Sequence, residues 1–487
     1  MPLATLKILT DWGAATGASD IATHVKSYSI NRGRSSELDR YGAGTLTLTC
    51  DNPSGLFTPL NSTGCLTGSL IAGRVVQVQW TLSGSTFNRF TGKVVSYSPE
   101  PSINKSRDVT ITCMDGFEGF QRRETRSSLF TNIKSGCLIG ETLNDAQWPS
   151  ASRDINTGQD TYEFAHFDRR KIDEVLVDVN QTEYGTIYLR GDGYFVFHDR
   201  YYRSRNTTVG ASFSSGCIAN LSFLRDVNDI KTEARVTVLP KVVKAETTVW
   251  SIQDPIVLNA SSAGSFFGNY IDPETCQLCI ATEVASPAIG VDALMNTNSS
   301  GTGTNISASL SACLTAFAES FKVVASNAGN TVGYITRFNV LGQPIVSYEQ
   351  MSRSYTNATA CALYGVRTLT YDAPLLTNAE KGQNLAIFLA TRYSDPANVD
   401  RVTMSIQNKN AALWEQILRR ELDDRVAVTA SEVGLNGADF FIGALSEDWD
   451  SGTGLHSATY TLEKSGADDG FFLVDIDEVG GTILLGY

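Results

Sequence analysis

The stretch NRGRSSELDRYGAGTLTLTCDNPSGLFTP, Asn31 to Pro59, sets a charged loop directly before a short strand and a turn. In GTLTLTC, Leu46 and Leu48 alternate with Thr45, Thr47 and Thr49, the period-two pattern of a strand with one buried face. The DNPSG that follows ends the strand, because Asn, Pro and Gly each favour turn geometry. The loop from Arg32 to Tyr41 carries Arg32, Arg34, Glu37, Asp39 and Arg40. Charges of both signs make these five a candidate subunit-interface loop, against the plainer reading of a solvated loop. No catalytic template has this spacing.

The same alternation continues outward. GRVVQVQWTL (Gly73 to Leu82) puts Val76, Val78 and Trp80 on one face, with Trp80 a candidate core residue. FTGKVVSYSPEP and RDVTITCMDGFEGF supply further strands, so residues 1–115 read as a small β-barrel or sandwich. Residues 116–205 change character. CLIGETLNDAQWP and DRRKIDEVLVDVNQTEYG carry helical spacing, and TIYLRGDGYFVFHDR is a hairpin around Arg190-Gly-Asp-Gly193, so this is a compact α+β unit. Connecting strands occupy 206–244, and 245–346 is β-rich with Ser, Thr, Asn and Gly loops, a separate β-sandwich. Residues 347–465 mix strands with two helices, 378–394 and 411–423. The first opens with a Thr377 to Glu380 capping box. Both are expected to pack on a second barrel through Phe388, Leu389, Trp414 and Leu418. The tail, 466–487, is acidic and then apolar, a segment expected to pack on this chain or a neighbour. The fold class is thus mainly β with α+β parts, in several domains.

The 487 residues hold 52 acids against 39 bases, a formal net charge of -13. That opposes a nucleic-acid-gripping surface, which needs clustered Lys and Arg, but leaves room for a channel in which DNA must slide freely. No apolar run approaches the roughly 20 residues of a membrane-spanning helix, and the first residues do not form a secretory signal. The nine Cys are scattered. Cys276 and Cys279 are too far apart for a disulfide in an extended segment, and no second pair completes a zinc site. His24, His166, His198 and His456 each stand alone and read as surface or edge histidines. Glu447, Asp448 and Asp450 read as solvated acids of a turn. Neither a nucleophile elbow nor a phosphate loop occurs. No catalytic, metal or cofactor residue is predicted, and the function is read as architectural.

The opening stretch, with AGRVVQVQW and FNRFTGKV after it, resembles the first domain of bacteriophage tail hub proteins. DEVLVDVNQTEYGTIYLRGDGYFVFHDR is similar to the helix-plus-hairpin of that family. LGQPIVSYEQMSRSYTNATACALYGVRTLTYDAPLL and LWEQILRRELDDRVAVT with DFFIGALSEDW resemble its later segments, in family order. The resemblance implies a hub at the tail tip of a long-tailed phage, in the short form without a lytic domain. Two tail-tube-like barrels per chain, about 1–115 and 350–465, would let a homotrimer stack on a hexameric tube. Its implied partners are the tail tube or distal tail protein, a central tip or fibre protein, and the tape measure protein and DNA in the lumen. The implied location is the virion tail tip, assembled in the host cytoplasm, with no enzymatic activity, cofactor or membrane anchor. Two other readings compete: a receptor- or carbohydrate-binding protein using 245–345, and a cell-wall hydrolase using surface carboxylates.

Overall fold

A computed structural model describes residues 4–11, 18–61, 66, 68–100, 107–465, 471–472 and 484–485. Apart from two short paired strands, the 466–487 tail and its expected packing lie outside the described residues.

The alternating sequences assemble into one thirteen-stranded sheet. Its first half runs, edge to edge, through Val25–Gly33, Thr45–Asp51, Asp108–Met114, Ser85–Glu100, Val75–Leu82, Thr5–Asp11 and Ala18–Asp20. Its second half contains Leu435–Asp450, His456–Lys464, Arg401–Gln407 and Ile218–Leu224, with Arg425–Ala430 and Ala211–Ser214 to one side. The halves meet where Ser27–Gly33 pairs antiparallel with Ala444–Asp450. The two expected barrels are therefore joined in one sheet, which does not close on itself among the described residues. At this seam Gly33 has φ +117°, and a Cβ there would sit 2.4 Å from the Ala444 Cα, so the close approach requires glycine.

Each half buries its own core. Ile30, Leu46, Leu48, Val78, Trp80 and Ile111 belong to the first, and Val402, Met404, Val426, Phe440 and Tyr460 to the second. The DNPSGLFTP turn closes the first. Asn52 accepts a hydrogen bond from the Phe57 amide at 2.9 Å, and Phe57 is fully buried.

An α+β unit follows the first half of the sheet in the chain. Helices Ser135–Asp145 and Ile172–Glu183 pack together with the hairpin Thr186–Leu189 and Phe195–His198. The hairpin tip rests on the main sheet: a Cβ on Gly191 would lie 2.6 Å from the Asn88 carbonyl oxygen, and Thr91 Oγ1 donates to the Gly191 oxygen at 3.0 Å.

Three expectations change. The 206–244 segment is not merely connecting: Ala211–Ser214 and Ile218–Leu224 are strands of the second half. Glu233–Val238 is the centre of a separate sheet between Met351–Thr356 and Thr368–Ala373. Helix Ala379–Ser394 packs on that small sheet, so Phe388 and Leu389 join Val236, Val238 and Ala373 rather than a second barrel. Its cap is Asn378, which accepts from the Glu380 amide, while Thr377 instead donates to Glu163. The second helix is shorter than predicted, Ala411–Arg419, and lies between the two cores. Trp414 and Leu418 face the first core, Ile417 the second.

Because Glu233–Val238 and Met351–Thr356 pair antiparallel, the chain between them is the loop of a hairpin. Lys241–Val243 against Ile345–Ser347 extends that hairpin. Beyond it, four more strands pair along Gly333–Ser347, and a three-stranded sheet faces them across one core containing Trp250, Phe266, Phe321 and Phe338. The two sheets form a sandwich inserted in the hairpin.

Candidate functional site

No constellation of nucleophile, base and oxyanion donors emerges among the described residues. What the fold does concentrate is charge at the junction of its parts, beneath a face of the main sheet that is mostly hydroxyl- and amide-lined.

The chain leaves helix Ala411–Arg419 at Arg420 and reaches Asp423 in a left-handed conformation, φ +66°. This break turns Leu418 to Asp423 into a node. The Arg89 Nη1 donates to the Leu418 and Arg420 carbonyls at 2.9 and 3.0 Å, and its Nε to Glu447 Oε2 at 2.7 Å. Arg32 forks onto Glu421 at 2.7 and 3.1 Å, and the Gly191 amide donates to the same carboxylate at 3.0 Å. Both halves of the sheet and the α+β hairpin are therefore tied to one short segment.

Glu447 and His456 are fully buried. The Trp414 indole N–H donates to His456 Nδ1 at 2.9 Å, and an indole can only donate, so Nδ1 is the acceptor and Nε2 carries the proton. That N–H reaches Glu447 Oε1 at 2.9 Å, and Tyr28 OH donates to the same oxygen at 2.8 Å while accepting from Trp80 Nε1. Burial works against the Glu447 charge, but Arg89 and then His456 outweigh it and hold the carboxyl at about 2.

A second network lies beside it. Arg34 binds Glu463 through two bonds of 2.7 and 2.6 Å. Arg203 bridges Glu463 and Asp423, each at 2.7 Å, and His198 Nδ1 lies 2.6 Å from the other Asp423 oxygen. Glu37 continues the chain to Arg392. Burial opposes the Glu463 charge, and Arg34 with Arg203 brings the carboxyl down to about 2; Arg203 and His198 likewise hold Asp423 below the usual carboxylate range.

The candidate interface loop is thus divided. Arg32, Arg34 and Glu37 are spent on ion pairs inside the chain, and Asp39 and Arg40 are exposed. Trp80, Phe388, Leu389 and Leu418 are buried, and Trp414 is half-buried. Two readings are corrected. His198 and His456 do not stand alone at the surface but sit buried in these networks. Glu447 is not in a turn but in strand Leu435–Asp450, on the inward position between Leu445 and Trp449. That alternation was the available signal: an acid where the period-two pattern demands an apolar residue needs a buried partner.

The opposite face of the same sheet is hydroxyl-lined. Register places Asn220, Ser405, Thr459, Ser446, Asn31 and Thr45 in one row across six strands. A second row runs through Gln407, Ser457, Asp448, Ser29, Thr47, Thr112 and Ser96. Asp448 is the one charge of the second row, and the first continues through Met114 to the exposed Lys93. Both halves contribute, and the rows cross the seam without interruption. Arg89 points away from this face into the core. No helix among the described residues is long and apolar enough to cross a membrane.

No protein-family model matches the chain, and no curated protein matches it in sequence. Solved structures do match it in fold. The prophage MuSo2 43 kDa tail protein from Shewanella oneidensis superposes with a TM-score of 0.53 at 10% identity, over 95% of this chain and 99% of that one. The tail protein from Neisseria meningitidis MC58 gives 0.52 at 11% identity, over 95% and 97%. The agreement is therefore one of architecture rather than of side chains, and it runs from end to end. Along nearly its whole length the chain has the fold of phage tail proteins.

Proposed function

We propose that the chain is a structural hub of a phage tail tip: a homotrimer that adapts the hexameric tail tube to a central tip or fibre, with tape measure protein and DNA passing through its lumen. The observation that carries this reading is the hydroxyl-lined face shared by the two halves of the main sheet. DNA presents one negative charge per roughly 1.7 Å of axis, and a basic wall would hold it through counterion release. A wall mostly of Ser, Thr, Asn and Gln, whose few charges are of both signs (Asp448, Asp450 and Lys93), neither grips nor strongly repels. Two sheet halves per chain give six in a trimer, matching a six-fold tube. The sheet also ends in Ile218–Leu224, an edge strand without charge or proline, suited to pairing with a neighbouring copy. In this reading the junction ion pairs keep the halves in register, and the chain has no catalytic role.

Light scattering on the purified chain, followed by electron microscopy of assembled tails, tests it. The expected result is a mass three times that of the chain and a ring whose lumen carries Thr47, Thr112 and Thr459. A monomer at every concentration, or a lumen lined by Lys and Arg, overturns it.

A further inference from the structure

The inserted sandwich differs from the rest of the surface. Residues 245–346 contain seven acids and two bases, against 91 charged residues in the 487 of the whole chain. Its three-stranded sheet is made of Ser262–Asn269, Ser320–Asn327 and Leu310–Ala316, with Ser320–Asn327 in the centre. Neither outer strand contains a charge or a proline, the devices that normally keep an edge from pairing. Two other edges have them, unlike the Ile218–Leu224 edge of the main sheet: Met351–Thr356 carries Arg353 and Thr368–Ala373 carries Asp372.

Burial points the same way. In the central strand the inward residues Phe321, Val323 and Ala325 are wholly buried. On the outer strands their counterparts Phe266, Ala312 and Leu314 stay half-exposed, as at a sheet that lacks its next strand. On the outer face Phe267 is 66% exposed and Val324 44%. The two edges are also complementary. They are eight and seven residues long, and since both run antiparallel to the central strand they run parallel to each other. A rotation about one axis therefore sets the Leu310–Ala316 edge of one copy beside the Ser262–Asn269 edge of the next as a parallel pair, with every edge used once.

We infer that the insertion is a self-association module: copies of this chain join head to tail through these two strand edges, making one continuous sheet around the assembly. The occupant of each edge is a second copy of the chain, and the pairing rests on the oligomeric hub proposed above. Ser265 and Cys313 both lie opposite Val324, on either side of it, so they share one level of the sheet. In the junction they become neighbours from different copies.

Ser265→Cys in the full chain tests this under mild oxidation or with a short bismaleimide, read on a denaturing gel. Ser265 is exposed, so the variant is expected to keep the wild-type melting temperature. The expected result is covalent oligomers up to the closed ring, lost in Ser265→Cys/Cys313→Ser. Light scattering on the same samples separates the two proposals. An oligomer without Cys313-dependent links overturns the edge pairing and leaves the hub intact; a monomer overturns both. Links between Cys313 and Cys313 in the wild type, which indicate a two-fold contact, also overturn the head-to-tail arrangement. So does unchanged monomer that instead binds a panel of cell-surface glycans through the Phe267 face.

Discussion

The main sheet and the inserted sandwich are both β-structures with fully buried cores, yet they are held in different ways. Where the sheet halves meet the α+β hairpin, Arg32, Arg34, Arg89 and Arg203 each reach a carboxylate on a distant part of the chain. The sandwich relies on rings. Trp250 and Phe321 meet edge-to-face at 5.1 Å, as do Phe266 and Phe338. Its one buried charged group, Asp272, is satisfied by Lys244 at 2.8 Å. Apolar packing can slide by a fraction of an ångström at small cost, whereas a forked guanidinium–carboxylate pair fixes position. Buried ion pairs add little net stability but penalise wrong arrangements heavily. The difference suits the adaptor proposed above: parts that must stay in register are pinned by ion pairs, and the insertion, with a core of its own, is packed.

The contrast is broken most directly at Glu447. Glu447→Leu leaves Arg89 buried without its counter-ion and is expected to lower stability by about 3–5 kcal/mol in chemical denaturation. Arg89→Met with Glu447→Leu should recover most of that loss. A single-variant loss under about 1 kcal/mol would show that the pair does not hold the junction.

Acid sharpens the comparison next. The Glu447 and Glu463 carboxyls lie at about 2 in the folded chain, against an ordinary value of 4.5. Groups with depressed values contribute stability that is complete above 4.5 and lost as the pH falls from there through about 2. Melting of the junction is therefore expected to drop over that window. Hydrogen exchange in the sandwich core, where Lys244 holds down only the Asp272 carboxyl at one end, should change less.

Trp414→Phe keeps most of the ring but removes the N–H that fixes His456. A loss of about 1–2 kcal/mol is expected from the unsatisfied Nδ1, measured by thermal unfolding. The smallest effect belongs to the insertion. Excising 245–345 and joining Lys244 to Val346, which stays paired with Val242, by a short turn should leave the melting of the remaining cores within about 0.5 kcal/mol. A larger loss would mean that the sandwich supports the junction.

Local order was legible in the sequence. Strict alternation in GTLTLTC fixed both faces of that strand, because side chains on a strand point to opposite sides and only one side was apolar. The RGDG hairpin and helices Ser135–Asp145 and Ile172–Glu183 were equally plain, since turn chemistry and helical spacing act over a few residues. Tertiary structure alone decided the rest. It placed Glu233–Val238 between two strands more than a hundred residues later, joined two expected barrels into one sheet, and sent Phe388 to a core other than the predicted one. It also paired Arg89 with Glu447 across 358 residues. Periodicity reports that a residue faces inward but not which surface it meets, and a buried charge finds its partner only when distant strands have already been brought side by side.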